Sequence, residues 1–354
     1  MTAPAPRAVI GVPLYNHARQ LPQALDSLLA QRYRDFAVVL VDDCSTDETK
    51  AICDDYVTRD RRFQYHHNQR RLGYIGNTRR AFNLANELFP EAEYFAWGSD
   101  HDLWHPLWLQ ALIAALEAHP EAVLGWTLCQ RIAEDGAILK RHVHRFETLG
   151  ETDRLRRFTR TLRAMVSDRT SAGNMIYGLF RKRALMADKS MPAMVLPDRA
   201  LILEAALRGQ TLQVPELLWF RRYVGIASQN RQRRTLFPDR KPFYIRLPPW
   251  ITHAGYFIVN FAIRDRGRPD ISRLDGWRAG FAYMLHYPPV QIRHRLRQGV
   301  PKLRRWIGYR LVKPARLGWH RFGKKARRRV RTLAARLMKA GRSATPRRRG
   351  RLSE

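Results

Sequence analysis

Arg7-Ala8-Val9-Ile10-Gly11-Val12 and Phe36-Ala37-Val38-Val39-Leu40-Val41 are two short, unbroken apolar runs that frame the start of the chain. Runs of this length suit strands buried on both faces. Between them Leu21, Ala24, Leu25, Leu28 and Leu29 recur at helical spacing. Strand, helix and strand within about 35 residues predict a βαβ unit, hence parallel strands joined by a right-handed crossover. Asp42-Asp43 ends the second run, and Ser45-Thr46-Asp47-Glu48 reads as a capping box with Ser45 as N-cap.

Working outward, the same alternation continues. Phe63 to His66 reads as a third strand, Tyr74 to Phe89 as a helix, and Tyr94 to Trp97 as a fourth strand ending in Gly98-Ser99-Asp100-His101-Asp102. Pro106 suits the first turn of the next helix. Val123 to Trp126 is a fifth strand, 131–172 a polar insertion with a helix near Asp153–Met165, and Met175 to Phe180 a return to strand. Ala200 to Leu207 is helical, with short strands at Thr211 to Val214 and Leu217 to Phe220. The fold class expected is an open, mostly parallel α/β sheet flanked by helices.

Composition bounds the function. The chain has 354 residues, 45% hydrophobic and 10% aromatic, enough for a sizeable core and against wholesale disorder. Lys+Arg number 64 against 31 Asp+Glu, a net charge of +33. Residues 291–354 hold 23 of those bases and only Glu354 as an acid. Cys44, Cys53 and Cys129 show no paired or metal-type spacing, so a disulfide scaffold is excluded and a reducing compartment expected. The N-terminus lacks the apolar core of a signal peptide. Leu247 to Ile263 carries no ionised group, but with Pro248, Pro249, Thr252, His253 and Asn260 it is too short and polar to span a bilayer.

Ligands of open α/β sheets bind at the carboxyl ends of the strands, where Asp42-Asp43 and Asp100-His101-Asp102 fall. Clustered carboxylates repel unless a cation or donor-rich ligand sits among them, and their hard oxygens suit Mg²⁺ or Mn²⁺ bridging a diphosphate. Each Asp could equally cap the turn or helix that follows it.

The ordered series Val9-Ile10-Gly11-Val12-Pro13-Leu14-Tyr15-Asn16, Leu40-Val41-Asp42-Asp43-Cys44-Ser45-Thr46-Asp47, Asn77-Thr78-Arg79-Arg80-Ala81 and Ser99-Asp100-His101-Asp102 resembles glycosyltransferase family 2 over roughly residues 7–225. That resemblance implies a GT-A type fold and inverting sugar transfer from a nucleotide-diphosphate sugar, usually with Mg²⁺ or Mn²⁺. It assigns Pro13, Tyr15, Asn16, Asp42, Asp43, Arg79 and Asp100 to the donor nucleotide. Within that set Asp43 accepts a base N–H, Asp42 supports the strand end, and Arg79 faces the donor phosphates. Asp100, His101 and Asp102 match the metal motif. His101 stands where the family most often has Asp; a neutral His can ligate Mn²⁺ but suits Mg²⁺ poorly, or can hydrogen-bond a phosphate or ribose instead.

The family's general base opens a helix facing the acceptor, and Leu196-Pro197-Asp198-Arg199-Ala200 resembles that segment, with Asp198 as the catalytic base. Position alone would make Asp198 an N-cap. Gly173-Asn174-Met175-Ile176-Tyr177-Gly178-Leu179-Phe180-Arg181 resembles the strand closing the acceptor side. Arg221-Arg222-Tyr223 is either a phosphate contact or a solvated face. Gln229-Asn230-Arg231-Gln232-Arg233 departs from the Gln-x-x-Arg-Trp signature of processive synthases, which points to addition of one or a few sugars.

The domain plan expected is a catalytic domain over 1–225, a linker with an amphipathic and aromatic segment over 226–290, and a basic helical tail over 291–354. In the tail Leu303, Trp306, Ile307 and Leu311, then Val330, Leu333, Ala334, Leu337 and Met338, form narrow apolar faces opposed by arginines. Such faces describe helices lying on an anionic membrane surface, with Trp250 to Phe261 dipping in beside them. A solvated extension and a nucleic-acid arm stay open. No strand with interleaved aromatics supports specific nucleic-acid readout. The reading is a metal-dependent, hexosyltransferase-type enzyme, cytoplasmic and peripheral on the inner face of a membrane, acting on a lipid-linked or cell-envelope glycan acceptor. The alternative is a basic nucleic-acid-binding protein on an inactive α/β scaffold; removing 291–354 separates the two.

Overall fold

The computed structural model describes residues 5–139, 145–166, 172–185, 191–223, 243–266 and 270–287. Strands β1 (Ala8–Leu14) and β2 (Phe36–Asp42) are the two apolar runs, buried along almost their whole length. They pair in parallel from Ala8 opposite Phe36 to Leu14 opposite Asp42, so the end of β1 lies beside the first acidic cluster. β3 (Phe63–His67) extends the sheet beyond β2, and β4 (Tyr94–Trp97) pairs in parallel with β1 on its other side.

The far half mixes directions. β7 (Leu179–Arg181) lies antiparallel between β4 and β6 (Ala122–Ile132), β8 (Gln210–Arg222) runs parallel to β6, and β5 (Leu103–Trp104) closes the edge antiparallel to β8. The full order is β3-β2-β1-β4-β7-β6-β8-β5. Alternation along β1 divides the core. Ala8, Ile10, Val12 and Leu14 face α1 (Leu21–Leu29) and α4 (Trp108–Ala118), while Val9 faces the layer that holds α3 (Gly73–Leu88), α5 (Arg154–Val166) and α6 (Pro197–Arg208).

Three local expectations are corrected. The capping box does not form, and α2 (Thr49–Arg59) starts with Glu48 as N-cap. The Ser45 hydroxyl instead donates to Asp42 at 2.6 Å and accepts the Asn16 amide at 3.0 Å, while Asp47 takes the Thr49 amide and hydroxyl. The expected strand from Met175 is a 3₁₀ turn over Ala172–Tyr177 before the short β7. The two short strands after α6 are one strand, β8, with bulges in its pairing to β6.

The chain divides into units Met1–Ile292 and Arg293–Glu354. The expected basic tail and Gln229–Arg233 lie outside the described residues. Within the segment read as a linker, α7 (Pro249–Phe257), its π-helical continuation Ile258–Ile263 and helix α8 (273–287) pack on the α3–α6 layer. Phe257 and Phe261 are completely buried there, so these aromatics point inward rather than toward a membrane. Among the described residues no helix is long and apolar enough to cross a membrane.

Candidate functional site

The carboxyl ends of β1, β2 and β4 lie side by side, and loops fasten them. Asp42, fully buried, accepts from the Ser45 amide and hydroxyl and from the Tyr65 hydroxyl at 2.8 Å. Asp43 takes the Leu72 amide at 2.6 Å, the Gly73 amide at 2.8 Å and the Asn68 side chain at 3.1 Å. Its carboxylate therefore caps the start of α3, where unpaired amides and the helix dipole favour negative charge. Asn77 bridges the two strand ends by donating to Val41 at 2.9 Å and Leu14 at 3.3 Å.

Beside this frame Pro13 and Tyr15 are half-buried, and the Arg71 guanidinium lies 4.0 Å from the Tyr15 ring centroid. Asn16 is exposed, in the left-handed region at φ 51°, and accepts the Thr46 amide at 2.8 Å. The arrangement leaves the Tyr15–Arg71 pair as a flat, cationic wall next to Asp43.

After β4, Asp100 is buried between two imidazoles. His17 Nδ1 lies 2.7 Å from one carboxylate oxygen and His101 Nδ1 2.5 Å from the other. Burial pushes this carboxyl up, but the two histidine hydrogen bonds outweigh it and bring its pKa down to about 2. The bond to Asp100 raises His17 in turn. These three residues offer ligand atoms within 4.8 Å of one another. Two imidazoles and one carboxylate are a donor set suited to Mn²⁺ and poorly suited to Mg²⁺.

Asp102 is placed differently. It is almost fully buried, accepts the Arg222 amide at 2.8 Å, and has its carboxyl pushed up by burial. The pairing of Leu103 with Phe220 across β5 and β8 carries Arg221 and Arg222 to it. Arg222 donates to the His101 carbonyl at 2.9 Å and to Gln23 at 2.6 Å, so it braces this loop and is no solvated face.

Asp198 occupies the second residue of α6, not its N-cap; the cap is Leu196, at φ 58°. Burial raises the Asp198 carboxyl, against the pull of Arg199, of backbone amides and of Arg221. Burial would lower Arg221, but the nearby Tyr177, Asp102, Cys129 and Asp198 raise it overall. Arg221 also donates to Asn174 at 2.5 Å. Tyr74 and Tyr177 complete the cleft, and burial pushes the Tyr177 hydroxyl well above its ordinary value. Asp100, Asp102, Asp198, Arg221 and the two tyrosines thus converge at one end of the sheet.

Arg79 is not brought to this cluster. Its Nε donates to the Met191 carbonyl at 2.6 Å, and Tyr244 and Tyr256 are its charged-state neighbours. Sequence reasoning missed His17 and Tyr74, while Tyr177 lies in the stretch read as closing the acceptor side. His17 lies three residues past the end of β1, the strand that pairs with β4, and that adjacency was the available signal. Tyr74 carried none, since it meets Tyr177 and Asp198 across elements distant in sequence.

The model of glycosyl transferase family 2 matches residues 9–185, half of the chain, a span that includes both acidic clusters and stops short of Asp198. An uncharacterised glycosyltransferase of Rickettsia typhi is 33% identical over 102 residues, 29% of this chain and 29% of that protein, so the match spans less than a third of the relative's own length. Among solved structures, Staphylococcus aureus TarS 1–349 in complex with UDP-GlcNAc aligns over 82% of this chain and 91% of its own at 18% identity and TM-score 0.48. The mannosyltransferase PcManGT from Pyrobaculum calidifontis, in complex with GDP-Man and Mn²⁺, aligns over 88% and 83% at 18% identity and TM-score 0.46.

Proposed function

The chain belongs to glycosyl transferase family 2, and on that premise we propose that it moves a hexose, with inversion, from a nucleotide-diphosphate sugar to a hydroxyl acceptor. The observation that carries this reading is the convergence of the Asp100 cluster and Asp198, with Arg221 beside Asp102 and Asp198, at the carboxyl end of the sheet. The nucleoside lies against Pro13 and Tyr15. Three donors occupy the Asp43 carboxylate, which leaves roughly one of its four acceptor sites for a base N–H.

Transfer needs a base on one side and charge stabilisation on the other. Asp198 accepts the acceptor hydroxyl's proton as that oxygen bonds the anomeric carbon, and the carbon–oxygen bond to the diphosphate breaks with its electron pair leaving on the nucleotide. Burial suits Asp198 to this work, since a raised carboxyl pKa makes a stronger base. Asp100, His101 and His17 would hold a divalent ion, which supplies positive charge opposite the departing diphosphate. Asp102 fixes the β4 loop to Arg222 and keeps Arg221 charged. The acceptor is a lipid-linked or cell-envelope glycan precursor at the inner face of a membrane, a placement supported by the chain's net charge of +33.

Isothermal titration with UDP, dTDP, GDP and CDP, with and without Mn²⁺, tests the donor half. One nucleotide is expected to bind in an Mn²⁺-dependent way, and Asp100→Ala to abolish that dependence. Binding of none of the four would overturn the reading.

A further inference from the structure

The hairpin formed by α7 and α8 has an inner face that belongs to the core and an outer face that nothing among the described residues covers. Inward, His253 Nε2 meets the Leu196 carbonyl at 3.1 Å, Tyr256 donates to Glu204 at 3.0 Å, and Arg199 reaches the Tyr287 hydroxyl at 3.5 Å. All three contacts grip α6, the helix that carries Asp198. The two helices of the hairpin touch backbone to backbone. A Cβ on Gly276 would come within 2.6 Å of the Ala262 amide, and one on Gly280 within 3.1 Å of the Ala254 carbonyl.

Outward, α8 shows Leu274, Trp277, Phe281 and Leu285, with 55%, 42%, 52% and 70% of their surfaces exposed. Their spacing of three, four and four residues places them on one stripe of the helix. Trp277 and Phe281 stack at 5.9 Å, and among the described residues no further ring packs on either. The α7 side adds Ile251, Val259 and Ile263, also exposed and also four or eight residues apart.

Charge decides what such a face receives. The three acids of the hairpin region are already neutralised by cations, Asp265 by Arg273, Asp270 by Arg208, and Asp275 by Arg154. Arg246, Arg264 and Arg278 are exposed, and among the described residues none of them meets a carboxylate within 4 Å. A second copy would bring the same basic rim against itself, and residues 291–354, with 23 Lys+Arg, carry the same sign. An apolar stripe bearing Trp and Phe and edged by arginines matches the interface of an anionic bilayer, where the rings reach the acyl boundary and the guanidinium groups meet lipid phosphates.

We infer that the α7–α8 hairpin is the surface by which this protein seats on an anionic lipid bilayer. The inference deepens the membrane placement proposed above and rests on it. It identifies the acceptor class as membrane-borne, because the seated hairpin is the element that holds the Asp198 helix.

Flotation of the full chain with phosphatidylcholine vesicles, with or without about a third phosphatidylglycerol, tests it at physiological salt. The wild type is expected to float with the anionic vesicles and not with the neutral ones. Trp277→Glu/Phe281→Glu should lower the bound fraction at least tenfold while nucleotide binding in the titration above stays unchanged. Should that variant fail to fold, Leu274→Ser/Leu285→Ser supplies the same readout from more exposed positions. A folded variant that floats like wild type would overturn the inference and move binding to another surface. So would a wild type that stays unbound, a wild-type dimer that the substitution disperses in light scattering, or protection of Trp277 from hydroxyl-radical footprinting without vesicles. Failure of the transferase reading is distinguishable, because nucleotide binding would then be missing from every variant while flotation persists.

Discussion

At the end of β2 the carboxylates of Asp42 and Asp43 are met by donors from their own loops and from the start of α3, whereas after β4 Asp100 and Asp102 are driven apart in acidity by their surroundings. All four are buried. At Asp100 two imidazoles overcome that burial and hold the group ionised down to about pH 2. At Asp102 one backbone amide does not, and the carboxyl is pushed up. In sequence both clusters are acidic residues at a strand end. The first is spent mostly on architecture, and the second, with Asp198 across the cleft, is chemically poised. Pairs of titratable groups pushed in opposite directions mark where acid, base and charge-stabilising roles divide.

The sharpest way to break this contrast is at Asp198. Asp198→Asn should lower kcat roughly 10³-fold, within the usual range for losing a general base, with little change in the KM for donor. In the wild type, kcat/KM should fall on the acid side at a pH above the ordinary carboxylate range, since burial raises this group. A profile flat down to about pH 4 would remove Asp198 from the base role.

Asp43→Ala should act on stability first. It strips the acceptor from two amides of α3 and from Asn68, at about 3 kcal/mol in urea unfolding. Unchanged stability with lost nucleotide binding would make Asp43 a ligand group and not a brace.

His253 probes the seat of the hairpin on α6. It is fully buried, and burial depresses its pKa from 6.5 to about 4. The unfolded chain then binds this proton more readily than the folded one. Its contribution is therefore present above about pH 6.5 and is lost as pH falls toward 4, about 3 kcal/mol across that window. His253→Gln should flatten that part of the stability profile, measured by denaturant unfolding at each pH.

The smallest effect is expected at Arg79. With its Nε on the Met191 carbonyl, Arg79→Ala should cost about 1 kcal/mol of stability and leave nucleotide binding within twofold. A tenfold weaker nucleotide would instead bring its guanidinium to the donor phosphates.

Much of the fold was legible because its signals are local. The β1 and β2 runs, the α1 periodicity and the Tyr94–Trp97 strand depend on residues within a few positions of one another. The capping box was misread for the opposite reason. Ser45 had a better partner in Asp42 and in the amide of Asn16, a residue on another loop. Asp100 and Asp198 could be named from motifs, but His17 and Tyr74 could not.

The sequence by itself determined an α/β sheet with acidic strand ends, the family, and a carboxylate at the head of α6. Apolar periodicity and motif order are properties of the linear chain, and they survive without knowledge of contacts. Only the tertiary structure decided that Asp42 and Asp43 are braced while Asp100 is clasped by two histidines. It also decided that β8 returns Arg221 and Arg222 to Asp102, and that the apparent linker folds into a hairpin buried on one side and, among the described residues, uncovered on the other. Those outcomes depend on burial and on charges brought together across more than a hundred residues of chain, as Arg221 is to Asp102, and no spacing rule encodes them.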